Sequence, residues 1–315
     1  MMHLSNKSKH YGLIALKVLI LTATFWFIFD RLADTNIQSL STFSNRLGDA
    51  NLLYLILFFF MAILNWVMEI RKWQVLVQPL QQISFKSSMQ QCLASLTASL
   101  WTPNRLGEYG VKPLFYRPEK RKKVMVLKLV SNTAQMFVTI LFGIPGLIYF
   151  LNQYGVAVSL WKPIAIFILV LLLIVSGYYF RKTQLIVKGL SLQKIIRYVK
   201  NIPGAIKLQV FLLSALRYLV FASAFYLILL FLGVELDLFQ AIPLITAMYL
   251  LASVLPTFIF LDVAIKGGVA IWIFSFAGVE ELPVLGAATA MWVLNFVIPA
   301  LIGTYFVAKF KPVAA

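Results

Sequence analysis

Cysteine, histidine and acidic residues are all scarce in this chain of 315 residues. Cys92 is the only cysteine, which excludes an intramolecular disulfide and a thiolate metal cluster. The two histidines, His3 and His10, lie in the N-terminal tail and supply neither a base nor a metal-ligand set at depth. No phosphate-cradling glycine loop and no nucleophile elbow can be read, so neither an ATPase nor another recognisable catalytic motif is expected, and no cofactor is called for. Charged residues make up 12% of the chain and hydrophobic ones 61%, a ratio that cannot coat a soluble core with polar side chains. Lipid has to replace water around most of the molecule.

Several apolar runs reach about 20 residues, and at about 1.5 Å per residue they cross a hydrocarbon layer of about 30 Å. Helices are required there, because lipid offers backbone amides no partner. Spans are predicted near 12–29, 52–68, 125–150, 163–180, 209–232 and 284–308. The first follows Lys7 and Lys9 like a signal peptide. It ends abruptly at Phe29-Asp30-Arg31 without a small-residue cleavage site, and is read as an uncleaved span. The fold class expected is all-α, a single polytopic transmembrane domain over 1–315 with about six to eight spans.

The formal charge of +17 is distributed one-sidedly. With the N-terminus inside, the cytoplasmic connections hold Lys7, Lys9, Arg71, Lys72, Lys86, the basic residues from Arg105 to Lys123 and from Arg181 to Lys207, and Lys309 and Lys311. The outer loops hold only Arg31, Arg46 and Lys162. Acids run the other way: Asp30, Asp34, Asp49, Glu235, Asp237, Glu280 and Glu281 fall outside, and Glu69, Glu108 and Glu119 inside. Cytoplasmic retention of Lys and Arg therefore predicts a multi-pass protein of the inner or plasma membrane with both termini cytoplasmic. The basic runs then face anionic inner-leaflet lipids. Topology already explains them, so nucleic acid is not expected as a partner.

Two further apolar regions, 88–102 and 241–279, are broken by proline, glycine and charge. Basic sequence flanks Ser88–Thr102 on both sides, so this segment cannot cross once and is predicted to be a re-entrant hairpin. Ala241–Ala277 lies between acidic outer segments, Glu235 and Asp237 before it and Glu280 and Glu281 after it. It is either two full spans or a second re-entrant pair. Span, broken hairpin, span thus occurs twice, over 52–150 and 209–308, starting from opposite sides, the pattern of an inverted-topology repeat. Leu96–Pro103 aligns with Tyr249–Pro256, with few identities.

The sharpest local feature is Trp101-Thr102-Pro103-Asn104-Arg105-Leu106-Gly107-Glu108, a helix break carrying a cation and an anion three residues apart. With Pro103, Leu106, Gly107 and Glu108 it resembles the Pro-x-x-Leu-Gly-Glu hairpin of the lysylphosphatidylglycerol synthetase transmembrane-domain family and its flippase-like relatives. That resemblance implies a protein handling membrane lipids. Two departures qualify it. Thr257-Phe258-Ile259-Phe260-Leu261-Asp262 stands where the family has a Gly-Gly-Leu-Gly stretch, and no aminoacyl-transferase domain precedes Ala315, so lipid aminoacylation is not expected.

Candidate headgroup-binding residues follow from the cost of charge in lipid, about 2.5–3.5 kcal/mol per group at a helix centre. Arg105 offers a planar fork suited to a phosphate diester, with Asn104 beside it and Glu108 as its partner or as a site for a cationic headgroup; the alternative is an interfacial salt bridge. Asn132 and Gln135 share a helix face with Lys128 and Ser131, suited to a headgroup or to helix–helix hydrogen bonds. Lys17 and Lys128 lie close enough to span ends to snorkel, Arg217 lies deeper, and Asp262 and Lys266 form an (i, i+4) pair. Trp26, Trp66, Trp73, Trp101 and Trp161 are expected as interfacial anchors. The function expected is translocation or binding of a lipid or polyprenyl-linked amphiphile without an ATPase of its own. A membrane-embedded transferase acting on a polyprenyl phosphate or phospholipid and an assembly partner for another membrane protein are the alternatives, and homo-oligomers are compatible with each.

Overall fold

The computed structural model describes residues 52–99, 102, 106–156, 191–255 and 259–310, with 45 and 48, and side chains from 263 onward in the last stretch. The spans expected at 12–29 and 163–180 lie outside the described residues, as do Lys17, Trp26, Trp101 and Trp161.

Among the described residues, four helical stretches are long and apolar enough to cross a membrane: α1 (Leu52–Val77), α4 (Pro118–Gln153), α6 (Gly204–Phe231) and the continuous stretch Glu281–Ala308. Their outward faces remain apolar, with Leu53, Phe60, Ile63, Ile144 and Leu301 exposed, a surface that suits hydrocarbon and not water. The protein is a polytopic helical membrane protein. The last stretch is α9 (Glu281–Trp292), a π turn (Val293–Val297) and α10 (Ile298–Ala308).

Shorter elements fill the gaps. Helix α2 (Phe85–Ala98) has 14 residues and starts where the Ser84 hydroxyl accepts from the Ser87 amide. One turn, α3 (Glu108–Val111), and a 3-10 turn (Lys112–Phe115) complete the first broken hairpin. The amphipathic α5 (Leu192–Lys200) carries Lys194, Arg197 and Lys200 and leads into α6. The second hairpin is α7 (Leu238–Val254) and α8 (Ile259–Ser275), each 17 residues long. At about 1.5 Å per residue each reaches about 26 Å, short of a full hydrocarbon crossing.

Helices α1 and α6 run antiparallel: Tyr54 and Phe58 meet Phe231 at one end, with ring centroids 5.2 and 5.6 Å away, while Glu69 meets Arg217 at the other. Two further contacts join the stretches 52–150 and 209–308: helix α4 packs along α7, and α10 packs along α2, while α1 also packs against α2 and α8 against α9. Glycine permits the first two approaches. A Cβ at Gly143 would lie 2.5 Å from the Leu250 Cβ and 3.1 Å from the Thr246 carbonyl oxygen. At Gly303 a Cβ would lie within overlap distance of the Thr97 hydroxyl and the Leu93 carbonyl. Leu250 and Thr246 occupy the positions that align with Thr97 and Leu93 when Pro256 is set against Pro103.

An apolar core of Phe225, Ile228, Leu244, Ile245, Phe274 and Val284 fills the space between α6, α7, α8 and α9. A second cluster, around Trp73, Leu76, Leu127, Tyr116 and Val210, packs the first hairpin against α1, α4 and α6. Between the two clusters lies the polar interior.

Candidate functional site

The expected end of the 52–68 span is corrected by α1, which continues through Val77. Charge begins at Glu69, but the helix keeps its register, and Glu69, Lys72, Trp73 and Leu76 point inward. Lys72, expected in a cytoplasmic loop, is 1% exposed and places Nζ 2.7 Å from a Glu69 carboxylate oxygen. From α6, the Arg217 guanidinium reaches the same carboxylate at 2.9 Å and donates through Nε to the Asn65 side-chain oxygen at 3.1 Å. Gln135 of α4 turns its amide oxygen toward both cations, 3.4 Å from each.

A second carboxylate comes from the hairpin. A Cβ on Gly107 would stand 2.9 Å from the Ser99 Cα, so the tight return after α2 needs glycine, and its amide donates to the Thr102 hydroxyl at 2.8 Å. That return directs Glu108 inward. Its carboxylate lies 2.5 Å from Lys128 Nζ on α4 and 4.0 Å from Lys112 Nζ. Lys128 is buried by this pair, which replaces the expected snorkelling to the membrane surface. Lys112, also 1% exposed, packs its ammonium 4.2 Å from the centre of the Trp73 ring and 3.7 Å from Cys92 Sγ. Trp73 is therefore a buried wall, not an interfacial anchor, and donates from its indole to Gln91 at 2.7 Å.

These groups line a cavity of about 280 Å³ bounded by Glu69, Lys72, Glu108, Lys112, Lys128 and Arg217, with Asn132 and Gln135 on its α4 wall. Asn132 donates to the Tyr109 hydroxyl at 2.8 Å. A smaller cavity of about 160 Å³ adjoins it and shares Arg217; Asn65, Lys266, Tyr249, Trp292 and Asn295 are among its walls. Of the residues singled out from sequence, Glu108, Asn132, Gln135 and Arg217 meet in the first cavity, and Lys266 faces the second. Asn104, Arg105 and the Asp262 side chain lie outside the described residues. Glu69, Lys72 and Lys112 are the site residues that sequence reasoning assigned to loops; the available signals were the spacings Glu69–Lys72 and Glu108–Lys112, three and four apart.

The π turn shapes one wall of the second cavity, through Asn295 and Phe296. Pro299 has no N–H to give to the carbonyl of Asn295 four residues earlier, and the Trp66 indole donates to that carbonyl instead at 3.0 Å. The Asn295 side chain in turn accepts from Asn65 at 2.8 Å, which ties α1 to the last span. Single π turns of this kind gather at functional sites.

A family model for the lysylphosphatidylglycerol synthase transmembrane region matches residues 14–303. The chain belongs to this family. The match spans both broken hairpins and all four long apolar stretches except the end of the last, so the lysylphosphatidylglycerol synthase transmembrane-region fold carries the cavities just described. A comparison with curated proteins finds no match. Among the described residues, no three His, Cys, Asp or Glu side chains gather where they could hold a metal ion.

Proposed function

We propose that this protein is a flippase-like carrier that passes the headgroup of a lipid or polyprenyl-linked amphiphile through its polar interior, with the acyl or prenyl tail left in the membrane. The observation that carries this reading is the cavity bounded by Glu69, Lys72, Glu108, Lys112, Lys128 and Arg217 inside an otherwise apolar membrane protein. Charge at such depth costs free energy and is kept where it serves a pathway. The antiparallel α1–α6 pair and the packing of α4 along α7 and of α10 along α2 support an inverted-topology repeat over 52–150 and 209–308. In such repeats broken helices meet near the midplane and one half rocks against the other around a fixed site. The short helices α7 and α8 favour a re-entrant pair over two full spans. The distribution of basic loops favours an inner or plasma membrane location with both termini cytoplasmic, where Arg117, Lys120, Lys122 and Lys123 lie against anionic lipids.

Transport is tested by reconstituting the protein in vesicles with fluorescent lipids of different headgroups and following loss of fluorescence to a membrane-impermeant quencher. Faster exposure than in empty vesicles is expected for at least one headgroup, with at least a tenfold loss in Arg217→Gln. No acceleration for any phospholipid or polyprenyl phosphate would overturn the proposal.

A further inference from the structure

Resting on the reading of the interior as a headgroup path, we infer that the headgroup is a phosphate-bearing anion and not an aminoacylated, cationic one. The first cavity is bounded by four cations, Lys72, Lys112, Lys128 and Arg217, and by two carboxylates, Glu69 and Glu108. The described walls therefore carry an excess of two positive charges. Each carboxylate is already engaged: Glu69 by Lys72 and Arg217, Glu108 by Lys128 and more distantly by Lys112. A buried set built only to hold helices together reaches its lowest free energy when its charges balance, because each uncompensated buried ion costs several kcal/mol. The imbalance is suited to an incoming anion.

The second cavity repeats the bias in hydrogen-bonding terms. Its walls carry Arg217 and Lys266, and they include Tyr249 and Trp292, whose buried hydroxyl and indole N–H find no partner among the described residues. Indole N–H, ammonium and guanidinium groups are donors only. A ligand rich in acceptor oxygens satisfies the Trp292 indole and accepts from the Tyr249 hydroxyl; a lysyl or other amine headgroup brings further donors and a further positive charge. Arg217 borders both cavities, and its planar fork suits a phosphate oxygen pair. An anion moving from one cavity to the other stays within reach of Arg217 throughout and can take the place of Glu69 as its partner. The volume of the first cavity, about 280 Å³, is of the size of the smallest small-molecule sites.

The test measures binding separately from transport. Purified protein is exchanged into nanodiscs of phosphatidylcholine doped with phosphatidic acid, phosphatidylglycerol or lysyl-phosphatidylglycerol, and bound lipid is counted by native mass spectrometry after release. Retention of phosphatidic acid or phosphatidylglycerol at least tenfold above phosphatidylcholine and above the lysylated lipid is expected. It should fall at least fivefold in Lys112→Gln and by no more than twofold in Lys122→Gln/Lys123→Gln, which thins the surface contact with anionic lipids and leaves the cavity intact. Displacement by millimolar inorganic phosphate assigns a free anion as a ligand of the same site; retention against it assigns the lipid. Equal retention of all headgroups, preference for the lysylated lipid, or loss only in the surface variant overturns the inference. The headgroup series on the unmodified protein decides the matter even if Lys112→Gln does not fold. Anion-selective retention without translocation would count against the carrier reading alone.

Discussion

Replacing Glu69 with glutamine keeps the shape of the side chain and removes the charge that holds Lys72 and Arg217 together. Both cations lie within 3 Å of this carboxylate, at 2.7 and 2.9 Å. Lys72 is sealed from solvent, whereas Arg217 opens partly onto the cavities, with 22% side-chain exposure, and regains some solvation when its partner is lost. Removing one member of a buried pair costs about 3–5 kcal/mol, and partial exposure of Arg217 favours the lower half of that range. At about 2 °C per kcal/mol, Tm in detergent should fall by about 6–8 °C. Cys92 makes the assay direct: it is the only cysteine and is buried, so a thiol-reactive fluorophore reports the temperature at which the interior opens. The double variant Glu69→Gln/Lys72→Gln removes the orphaned ammonium as well and should recover at least half of the loss. A Tm for Glu69→Gln within 2 °C of the unmodified protein would refute the claim that this carboxylate neutralises two buried cations.

Gly303→Leu drives a side chain into the Thr97 hydroxyl and the Leu93 carbonyl; a loss of about 1–3 kcal/mol or more is expected, read as a lower denaturant midpoint in mixed micelles. Gly143→Leu, at the matching contact with α7, should give a loss of similar size, and a neutral outcome at either position would separate the two interfaces. Trp66→Phe leaves the Asn295 carbonyl without its donor, which should cost about 1–3 kcal/mol in the same assay. Lys122→Gln lies on the exposed start of α4, and its midpoint should match the unmodified protein within about 0.5 kcal/mol.

Long apolar runs were easy to read because hydrophobicity is a local property. The spans expected at 125–150, 209–232 and 284–308 coincide with α4, α6 and the final stretch to within a few residues at most ends. The interruptions within 88–113 and 241–277 are legible from the proline, glycine and charge that break those apolar runs. The shared face of Lys128, Asn132 and Gln135 followed from helical period alone and does line the first cavity. The polar interior is less legible because a charged residue outside an apolar run reads as a solvated loop residue. Lys72 and Lys112 are instead among the most deeply buried side chains. Nothing local announces that Glu69 will meet Arg217, 148 positions away. Opposite charges spaced three or four apart beside an apolar run, as in Glu69–Lys72 and Glu108–Lys112, are here turned inward as buried pairs.

The packing of α10 along α2 sets an order on biogenesis. Helix α2 emerges early from the ribosome, but the groove that receives it is made by α10, among the last residues translated; Glu69 likewise waits for Arg217. Until then Glu69 has only Lys72 of its two cations, and the Leu93, Leu96 and Thr97 face of α2 is uncovered. A chain interrupted before Gly303 should display the features by which membrane quality control recognises an orphan, and the two halves made as separate polypeptides should be stable only when produced together.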